Sequence, residues 1–403
     1  MGTGIRPAGL SDEEWALRSF DPWDRERLRY DNAWRIYAAM RKQGPAIHSD
    51  AFDYLWSLTR YSDIKAATLD YKTFSNARGN KLGRTHPSDP PGTPLEYDPP
   101  MSTKFRTVMI APFVPRRIGQ FDDLVRVHVD AILDRVAAQA EVDVVTDIAE
   151  PLAVNVISDI IGFDDEGRRR NREHSKRVVL GTNAALKTSN DGYNEFLRDQ
   201  IRRAMQEPRP GMLGEMAAAL HDGTSEFSFA NVTSMMHAMG LAGHHTTINA
   251  ISAMMIRTAD PELRARWLQD PAPGQVESFV EEVLRIDPPI HLEGRWTTKP
   301  VVVSGTEIPA DSQVALLYAS ANHDEDQFPD PERFDASRTT GHLTFGHGVH
   351  TCLGMALARL EMKVLLEQVL ERFSTVELAG PALDTGMVYG HHMGWESVPV
   401  TLA

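Results

Sequence analysis

Apolar residues recur along most of this chain with the period of an α-helix. Between positions 273 and 287 they stand at i, i+3, i+4, i+7 and i+8, on one face of a helix that ends at Pro288; they are Val276, Phe279, Val280, Val283 and Leu284. Another helix follows Gly354, with an inner face of Leu357, Leu360, Val364 and Leu365. A longer helix is predicted from about 228 to 258, and at about 1.5 Å per residue it would cross the whole domain.

Short segments of apolar and β-branched residues predict strands at 46–48, 54–59, 301–303, 314–317 and 398–401. These strands are too few and too short for a large sheet. The fold class is therefore predicted to be mainly α with a small β part. Because no linker, repeat or low-complexity segment divides the 403 residues, one large domain is expected over 1–403.

Charge and cysteine content exclude several classes of protein. The formal net charge is −14, and phosphate binding requires a basic surface, so nucleic acid is not an expected partner. The only cysteine, Cys352, cannot form an internal disulfide and fits a reducing compartment. The chain has no apolar run of about 18 residues and no signal-peptide core, so we expect a cytoplasmic protein that does not bind a membrane.

The segment around the cysteine carries the strongest chemical signal, and it reads Phe345-Gly-His-Gly-Val-His-Thr-Cys-Leu-Gly354. Glycine at 346 and 348 lets the backbone approach a bulky group and adopt conformations closed to other residues. Cys352 precedes a predicted helix, whose free amides favour a thiolate, and a thiolate is a strong metal ligand. Two other interpretations are an inert buried cysteine and a zinc site with His347 and His350, although no fourth zinc ligand lies nearby.

This segment resembles the haem-binding signature of the cytochrome P450 family, Phe-Gly-x-Gly-x-His-x-Cys-x-Gly, and every fixed position is present. The resemblance implies the P450 fold around a buried haem b. It makes Cys352 the axial thiolate ligand of the iron, which favours O–O cleavage. It also places Phe345 and Gly346 against the haem and His350 near a propionate.

Other parts of the chain match the family in the same order. Glu282 and Arg285 share a helical face, and such a pair alone is ordinary; in the family, Glu-x-x-Arg joins an arginine of a Pro-Glu-Arg-Phe segment, here Arg333. The implied Glu282–Arg285–Arg333 network is structural. By the same resemblance, Arg106 and Arg295 pair with the haem carboxylates.

The long predicted helix contains Ala242-Gly-His-His-Thr-Thr247. The Thr246 hydroxyl could bond back to the Ala242 carbonyl, which would loosen the helix and open a groove. The run resembles the family's Ala-Gly-x-Glu/Asp-Thr motif, so Ala242 and Gly243 should lie against the haem, with Thr246 as a catalytic hydroxyl. His245 replaces the usual acid; histidine can also relay protons, since its ordinary pKa is about 6.5.

Alignment with the family's pocket segments gives a candidate substrate cavity lined by Ala238, Leu241, Ala242, Thr246, Ile290, His291, Leu292, His391, His392 and Met393. The loop with Arg78, Lys81 and Arg84 would form its lid. The histidines favour a compact substrate that is polar or anionic, over a long alkane or sterol.

The resemblance implies a monooxygenase that inserts one oxygen atom from O2 into a small organic molecule. Electrons would come from NAD(P)H through a ferredoxin reductase and a ferredoxin, because one cysteine cannot build an iron–sulfur cluster. The ferredoxin is predicted to dock on the basic residues Arg116, Arg117, Arg359 and Lys363. We expect a monomer. Oxidative coupling or ring closure, and a haem-based sensor without turnover, remain as alternatives.

Overall fold

The computed structural model describes residues 18–50, 55–80, 82, 92–180 and 183–403, with side chains described for all of these except 115 and 175–190. Two of the predicted lid residues, Lys81 and Arg84, lie outside the described residues. In the described part of the chain, no helix is long and apolar enough to cross a membrane.

Helices make up most of the fold. Within the described residues the α-helices are α1 (Tyr30–Gln43), α2 (Tyr61–Leu69), α3 (Met101–Met109), α4 (Pro115–Ile118), α5 (Asp122–Val136), α6 (Glu150–Ile161), α7 (Asp165–Leu180), α8 (Asn183–Gln206), α9 (Gly211–His221), α10 (Phe229–Ala242), α11 (His245–Ala259), α12 (Pro261–Trp267), α13 (Gln275–Ile286), α14 (Tyr318–Asn322) and α15 (Met355–Arg372).

The strands are short and form small sheets. They are β1 (Ala46–Ser49), β2 (Leu55–Leu58), β3 (Phe74–Ser75), β4 (Val142–Asp143), β5 (Glu293–Thr297), β6 (Val301–Val303), β7 (Thr306–Ile308), β8 (Gln313–Leu316), β9 (Val376–Leu378), β10 (Leu383–Asp384), β11 (Trp395–Ser397) and β12 (Pro399–Leu402). One sheet has the order β1-β2-β8-β5-β3 and another β4-β12-β9; β6 pairs with β7, and β10 with β11. The predicted class, mainly α with a small β part, is confirmed.

Two apolar cores lie beneath these elements. The larger core is built from α5, α6, α10, α11, α13 and α15, and the smaller one joins α1, α2 and the five-stranded sheet. Helix α13 buries its predicted face, including Phe279 and Val283, which are fully buried. The apolar faces of α13 and α15 therefore bring the segments before and after the cysteine loop into one core.

The long helix predicted from 228 to 258 is wrong in one respect, because the structure divides it into α10 and α11. Ser228 caps the start of α10 by accepting a hydrogen bond from the Asn231 amide, but the helix stops at Ala242 and resumes at His245. A Cβ added to Gly243 would lie 3.0 Å from Ile157 of α6. Glycine therefore suits this close helix packing, because a larger residue would require the Ile157 side chain to shift.

A buried ion pair holds α13 to the segment that precedes the cysteine loop. The Arg285 guanidinium donates two hydrogen bonds of 2.8 Å to the Glu282 carboxylate, and both side chains are buried. Arg285 also donates to the carbonyls of Asn322 at 2.7 Å and Pro331 at 2.9 Å. Two distant turns are thus tied to one helix.

The arginine that joins this ion pair is not the predicted one. Arg333 contributes its backbone carbonyl, 3.4 Å from Arg285, and its side chain is exposed. The second guanidinium on Glu282 belongs to Arg338, whose Nε lies 3.3 Å from the carboxylate. The chain turns between 333 and 338, so the later arginine points inward.

The ion pair yields a stability prediction. Arg285→Ala should lower the free energy of unfolding by about 3–5 kcal/mol, because it leaves the Glu282 charge buried without its partner. Arg338→Ala should cost about 1 kcal/mol, as expected for a partly exposed pair. Arg333→Ala, the matched control, should change stability by less than about 0.5 kcal/mol. Urea unfolding measures all three, and a larger loss in Arg333→Ala than in Arg338→Ala would contradict this assignment.

Candidate active site

The cysteine loop is closed by its own backbone. The Cys352 amide donates to the Phe345 carbonyl at 2.9 Å, and the loop reverses through Gly346 and Gly348, which have φ of 65° and 72°. A Cβ at Gly348 would lie 2.4 Å from the Thr68 carbonyl oxygen of α2. Glycine is needed at 348 both for its left-handed backbone and for this close approach.

The Cys352 thiol lies three residues before α15, and its surroundings act on its pKa in opposite directions. Its side chain has accessible surface, yet protein atoms surround it closely, and this burial raises the pKa of the thiol. The backbone amides of Gly354 and Met355 and the guanidinium groups of Arg106 and Arg359 act in the opposite direction. Accessible surface within dense surroundings fits a thiol that faces an internal hollow, where a bound cation would complete its stabilisation.

Two arginines approach this hollow from different elements. Arg295 on β5 is 4% exposed and donates to the Gly294 carbonyl at 2.7 Å, with the Tyr318 hydroxyl 3.5 Å away. Arg106 on α3 is half-buried and donates to the Thr351 carbonyl. The described hydrogen bonds of both guanidinium groups are thus to neutral oxygens. The Glu293 carboxylate lies near enough to Arg295, and the Cys352 sulfur near enough to Arg106, to interact with their charges. An anion bonded directly to each guanidinium would stabilise these cations further.

His350 lies between these arginines without a hydrogen-bond partner among the described residues. Both of its ring nitrogens are buried and unbonded. Burial, followed by the charges of Arg295 and Arg106, lowers the pKa of His350 to about 3. One helical turn before Arg106, the buried hydroxyl of Ser102 is unbonded as well.

These side chains fit the carboxylates of a haem. Two cations and an unbonded imidazole converge on one place, and two propionates would satisfy all of them. The loop that would pass over the porphyrin contains Phe345 and Gly346, and an added Cβ at Gly346 would have no neighbour closer than 3.7 Å. The residues present therefore suit a haem in two respects. Cys352 offers a sulfur ligand for the iron, and the arginines offer cations for the propionates.

The break between α10 and α11 contains the residues that the sequence predicts to be catalytic. The Thr246 hydroxyl donates to the Ala242 carbonyl at 2.9 Å, which confirms the predicted bond. Ala242 is exposed and Thr246 half-buried although both belong to central helices, so the break has accessible surface. The His245 ring stacks on that of His244, with centroids 4.8 Å apart.

Several predicted pocket residues turn toward the protein core. The His291 ring is 2% exposed, lies 3.1 Å from the Tyr37 hydroxyl and packs on Trp34. Burial lowers its pKa to about 3, so it is neutral. Leu292 and Met393 are also buried in the smaller core. The prediction that His291 faces the substrate is therefore corrected, since its polar atom is committed to Tyr37.

The other pocket residues remain available. Ala238 and Leu241 are half-buried on α10, Ile290 and His392 are half-buried and paired through a β-bridge, and the His391 and His392 rings lie 4.1 Å apart. Sequence reasoning missed Glu293 as a charged residue beside the predicted pocket histidines. Its carboxylate accepts a hydrogen bond from Asn80 at 2.8 Å and lies 3.7 Å from His391; its position two residues before Arg295 was the available signal.

The basic residues predicted for docking and for the lid divide into two groups. Arg116 and Arg117 are exposed on α4. Arg359 is bound bidentately to Glu281 and lies 4.5 Å from the Phe345 ring centre, and Lys363 is 2.6 Å from Glu277. In the lid segment, the guanidinium of Arg78 stacks over Trp296 at 3.9 Å and pairs with Asp311 at 2.6 Å, so Arg78 anchors that segment.

Comparison with known proteins agrees with this geometry. A family model described as cytochrome P450 matches residues 275–382. Cytochrome P450 107B1 of Saccharopolyspora erythraea is 32% identical over 361 residues, which cover 86% of this chain and 88% of that protein. The vitamin D(3) 25-hydroxylase of Pseudonocardia autotrophica is 31% identical, with 84% and 85% covered. The structure of CYP109Q5 from Chondromyces apiculatus superposes with a TM-score of 0.84 at 28% identity, covering 96% and 99%.

The fold and the cysteine loop thus define a haem-thiolate enzyme, and the chain belongs to the cytochrome P450 family. It is an oxidoreductase of the bacterial P450 monooxygenase type. Haem and O2, with electrons from a redox partner, are what this family uses.

The converging cations yield a prediction about cofactor retention. Arg295→Gln should accelerate haem loss roughly tenfold or more, because a hydrogen bond to a charged group contributes about 1.5–3 kcal/mol. Arg106→Gln should act in the same direction, and Arg116→Gln on the exposed face of α4 is the matched control. Transfer of haem to apomyoglobin measures the rate. Equal rates for Arg295→Gln and Arg116→Gln would show that Arg295 does not hold the cofactor.

Proposed function

We propose that this P450 inserts one oxygen atom of O2 into a small organic substrate, with electrons supplied by NAD(P)H through a ferredoxin reductase and a ferredoxin. The observation that carries the proposal is the Thr246–Ala242 hydrogen bond at an accessible helix break. When bound, haem supplies an iron at which O2 is cleaved with two electrons and two protons. Cys352 would hold that iron, and Arg106, Arg295 and His350 would hold the propionates.

Proton supply is assigned to the break between α10 and α11. Because its hydroxyl donates to Ala242, the Thr246 oxygen retains lone pairs that can accept a hydrogen bond from water. His245 is adjacent in sequence, and an imidazole can both accept and donate a proton. Together, Thr246 and His245 would pass protons from solvent toward the iron at the break, where the helix has accessible surface.

The substrate class is proposed from the wall formed by the C-terminal turn. With His291 in the core and Arg78 on Trp296, the polar groups that the described residues contribute to this wall are His391, His392 and Glu293. The carboxylate of Glu293 places negative charge beside His391. A small polar substrate therefore fits this wall better than an anionic one.

Electron delivery is proposed on the side of the cysteine loop. Helix α4, which presents Arg116 and Arg117, packs against α15, the helix that follows Cys352. An exposed basic pair on a chain of net charge −14 is a local site for an acidic partner. Arg359 links the cysteine loop to α13, because it contacts Phe345 of the loop and Glu281 of the helix.

Oxidative coupling or ring closure is a second candidate function. The observation that favours it is His245 at a position where the family has an acid. An enzyme that abstracts hydrogen or an electron and closes a bond would need a less exacting proton supply.

The proton relay predicts a change in coupling. His245→Phe should lower product formed per NAD(P)H consumed by about tenfold or more and divert electrons to peroxide, because a positioned acid–base group is lost. His245→Glu should retain or raise the ratio. The measurement uses a substrate first identified by displacement of water from the ferric iron. If His245→Phe alters neither rate nor coupling, the relay is refuted and the second candidate gains support.

Partner docking predicts a salt-dependent rate. The Arg116→Glu/Arg117→Glu double variant should slow reduction by ferredoxin about tenfold at low ionic strength, and the difference should shrink at high salt. The double variant Arg169→Glu/Arg170→Glu, at two exposed arginines on α7, makes the same change in net charge and controls for charge alone. Stopped-flow reduction under carbon monoxide measures the rate. A rate that does not respond to salt or to the double variant would contradict this docking surface.

A further inference from the structure

The hydrogen-bond pattern at the end of α10 leaves one carbonyl without its helical donor. In a continuous α-helix the His244 amide would bond to the Gly240 carbonyl four residues earlier. Here it donates to Leu241 at 3.2 Å instead. The donor that replaces it comes from another helix, because the Asn171 side-chain amide of α7 lies 3.3 Å from the Gly240 oxygen.

The orientation of Asn171 is fixed by a third helix. Tyr193 of α8 donates its hydroxyl hydrogen to the Asn171 Oδ1 at 2.6 Å. Since a carbonyl oxygen can only accept, the Asn171 nitrogen must face Gly240. Asn171 is fully buried and Tyr193 is 5% exposed, so water does not compete with these two bonds.

The surrounding packing is specific to this contact. A Cβ at Gly240 would lie 2.5 Å from the Asn171 Oδ1 and 2.7 Å from the Tyr193 hydroxyl, so glycine is required for the approach. The Tyr193 ring stacks on His174 of α7, with centroids 4.1 Å apart. Helices α7 and α8 therefore hold the donor as one unit.

We propose that Asn171 is a positioning residue for the oxygen-activating break. It satisfies the Gly240 carbonyl two residues before Ala242, whose carbonyl receives the Thr246 hydroxyl. Two side-chain donors thus bond carbonyls at the break. Asn171 comes from α7, and Thr246 comes from α11 itself. This role rests on the proposed function of Thr246 and His245.

The arrangement also couples the break to the outer helices. Any substrate that shifts α7 relative to α10 alters the distance between Asn171 and Gly240. The geometry of the Thr246 hydroxyl then depends on the position of α7 and α8 against α10. A substrate that fits poorly should therefore lower the product formed per NAD(P)H more than it lowers the rate of iron reduction.

The experiment compares three variants of the holoenzyme. Asn171→Ala removes the donor, and Tyr193→Phe removes only the hydroxyl that orients it while the ring stack remains. Asn194→Ala is the matched control, because Asn194 also belongs to this cluster, bonded to His237 at 2.7 Å, but does not contact the Gly240 carbonyl. The readouts are amide hydrogen exchange over 241–246, the infrared stretch of carbon monoxide on the ferrous protein, and product per NAD(P)H.

Asn171→Ala should accelerate exchange in this segment about fivefold, the effect of one lost hydrogen bond, shift the carbon monoxide band and lower coupling about fivefold. Tyr193→Phe should act in the same direction and less strongly, and Asn194→Ala should stay within about twofold of the parent. Unchanged exchange and an unchanged band in Asn171→Ala, or equal effects in Asn194→Ala, would overturn the proposal. Altered exchange and band in an enzyme without any oxygen insertion would uphold the positioning role and refute the proposed function instead.

Discussion

Burial raises the pKa of the Cys352 thiol, and neighbouring groups offset part of that increase. The first amides of α15 and the guanidinium groups of Arg106 and Arg359 favour the thiolate. The loop that carries the sulfur packs closely against α2 at Gly348, where a side chain would collide with the Thr68 carbonyl. The Glu282–Arg285 pair in turn fixes α13 to the segment that leads into the loop. Each of these features contributes to holding one anion where a metal can neutralise it.

At the break between α10 and α11, two backbone carbonyls accept hydrogen bonds from side chains. Thr246 satisfies the Ala242 carbonyl and Asn171 satisfies the Gly240 carbonyl. Gly240 is buried, and an unsatisfied buried carbonyl would cost roughly 1–3 kcal/mol, so the Asn171 donor stabilises the interruption. Because one donor belongs to α7, an outer helix takes part in the conformation of the catalytic segment.

The sequence allowed α13 and α15 to be predicted closely, because a continuous apolar face sets the period of a helix without help from the rest of the chain. It predicted a loosened helix at Thr246 but not the division after Ala242, where Gly243 packs on Ile157 of α6 and Asn171 of α7 bonds to Gly240. Arg333 was assigned by resemblance, and the contact made by Arg338 was not foreseen because the direction of a side chain in a turn cannot be read from a motif. His291 was assigned to the pocket because its core partners are distant in sequence. Contacts between distant segments account for each of these errors.

The central claim is that Cys352 is the axial ligand of a haem, and one spectrum tests it directly. The ferrous protein with bound carbon monoxide should show the red-shifted Soret band that thiolate ligation produces. Cys352→Ala should lose that band while any retained haem absorbs at the position of a protein without a sulfur ligand. Persistence of the red-shifted band in Cys352→Ala, or its absence from the parent protein, would contradict the account.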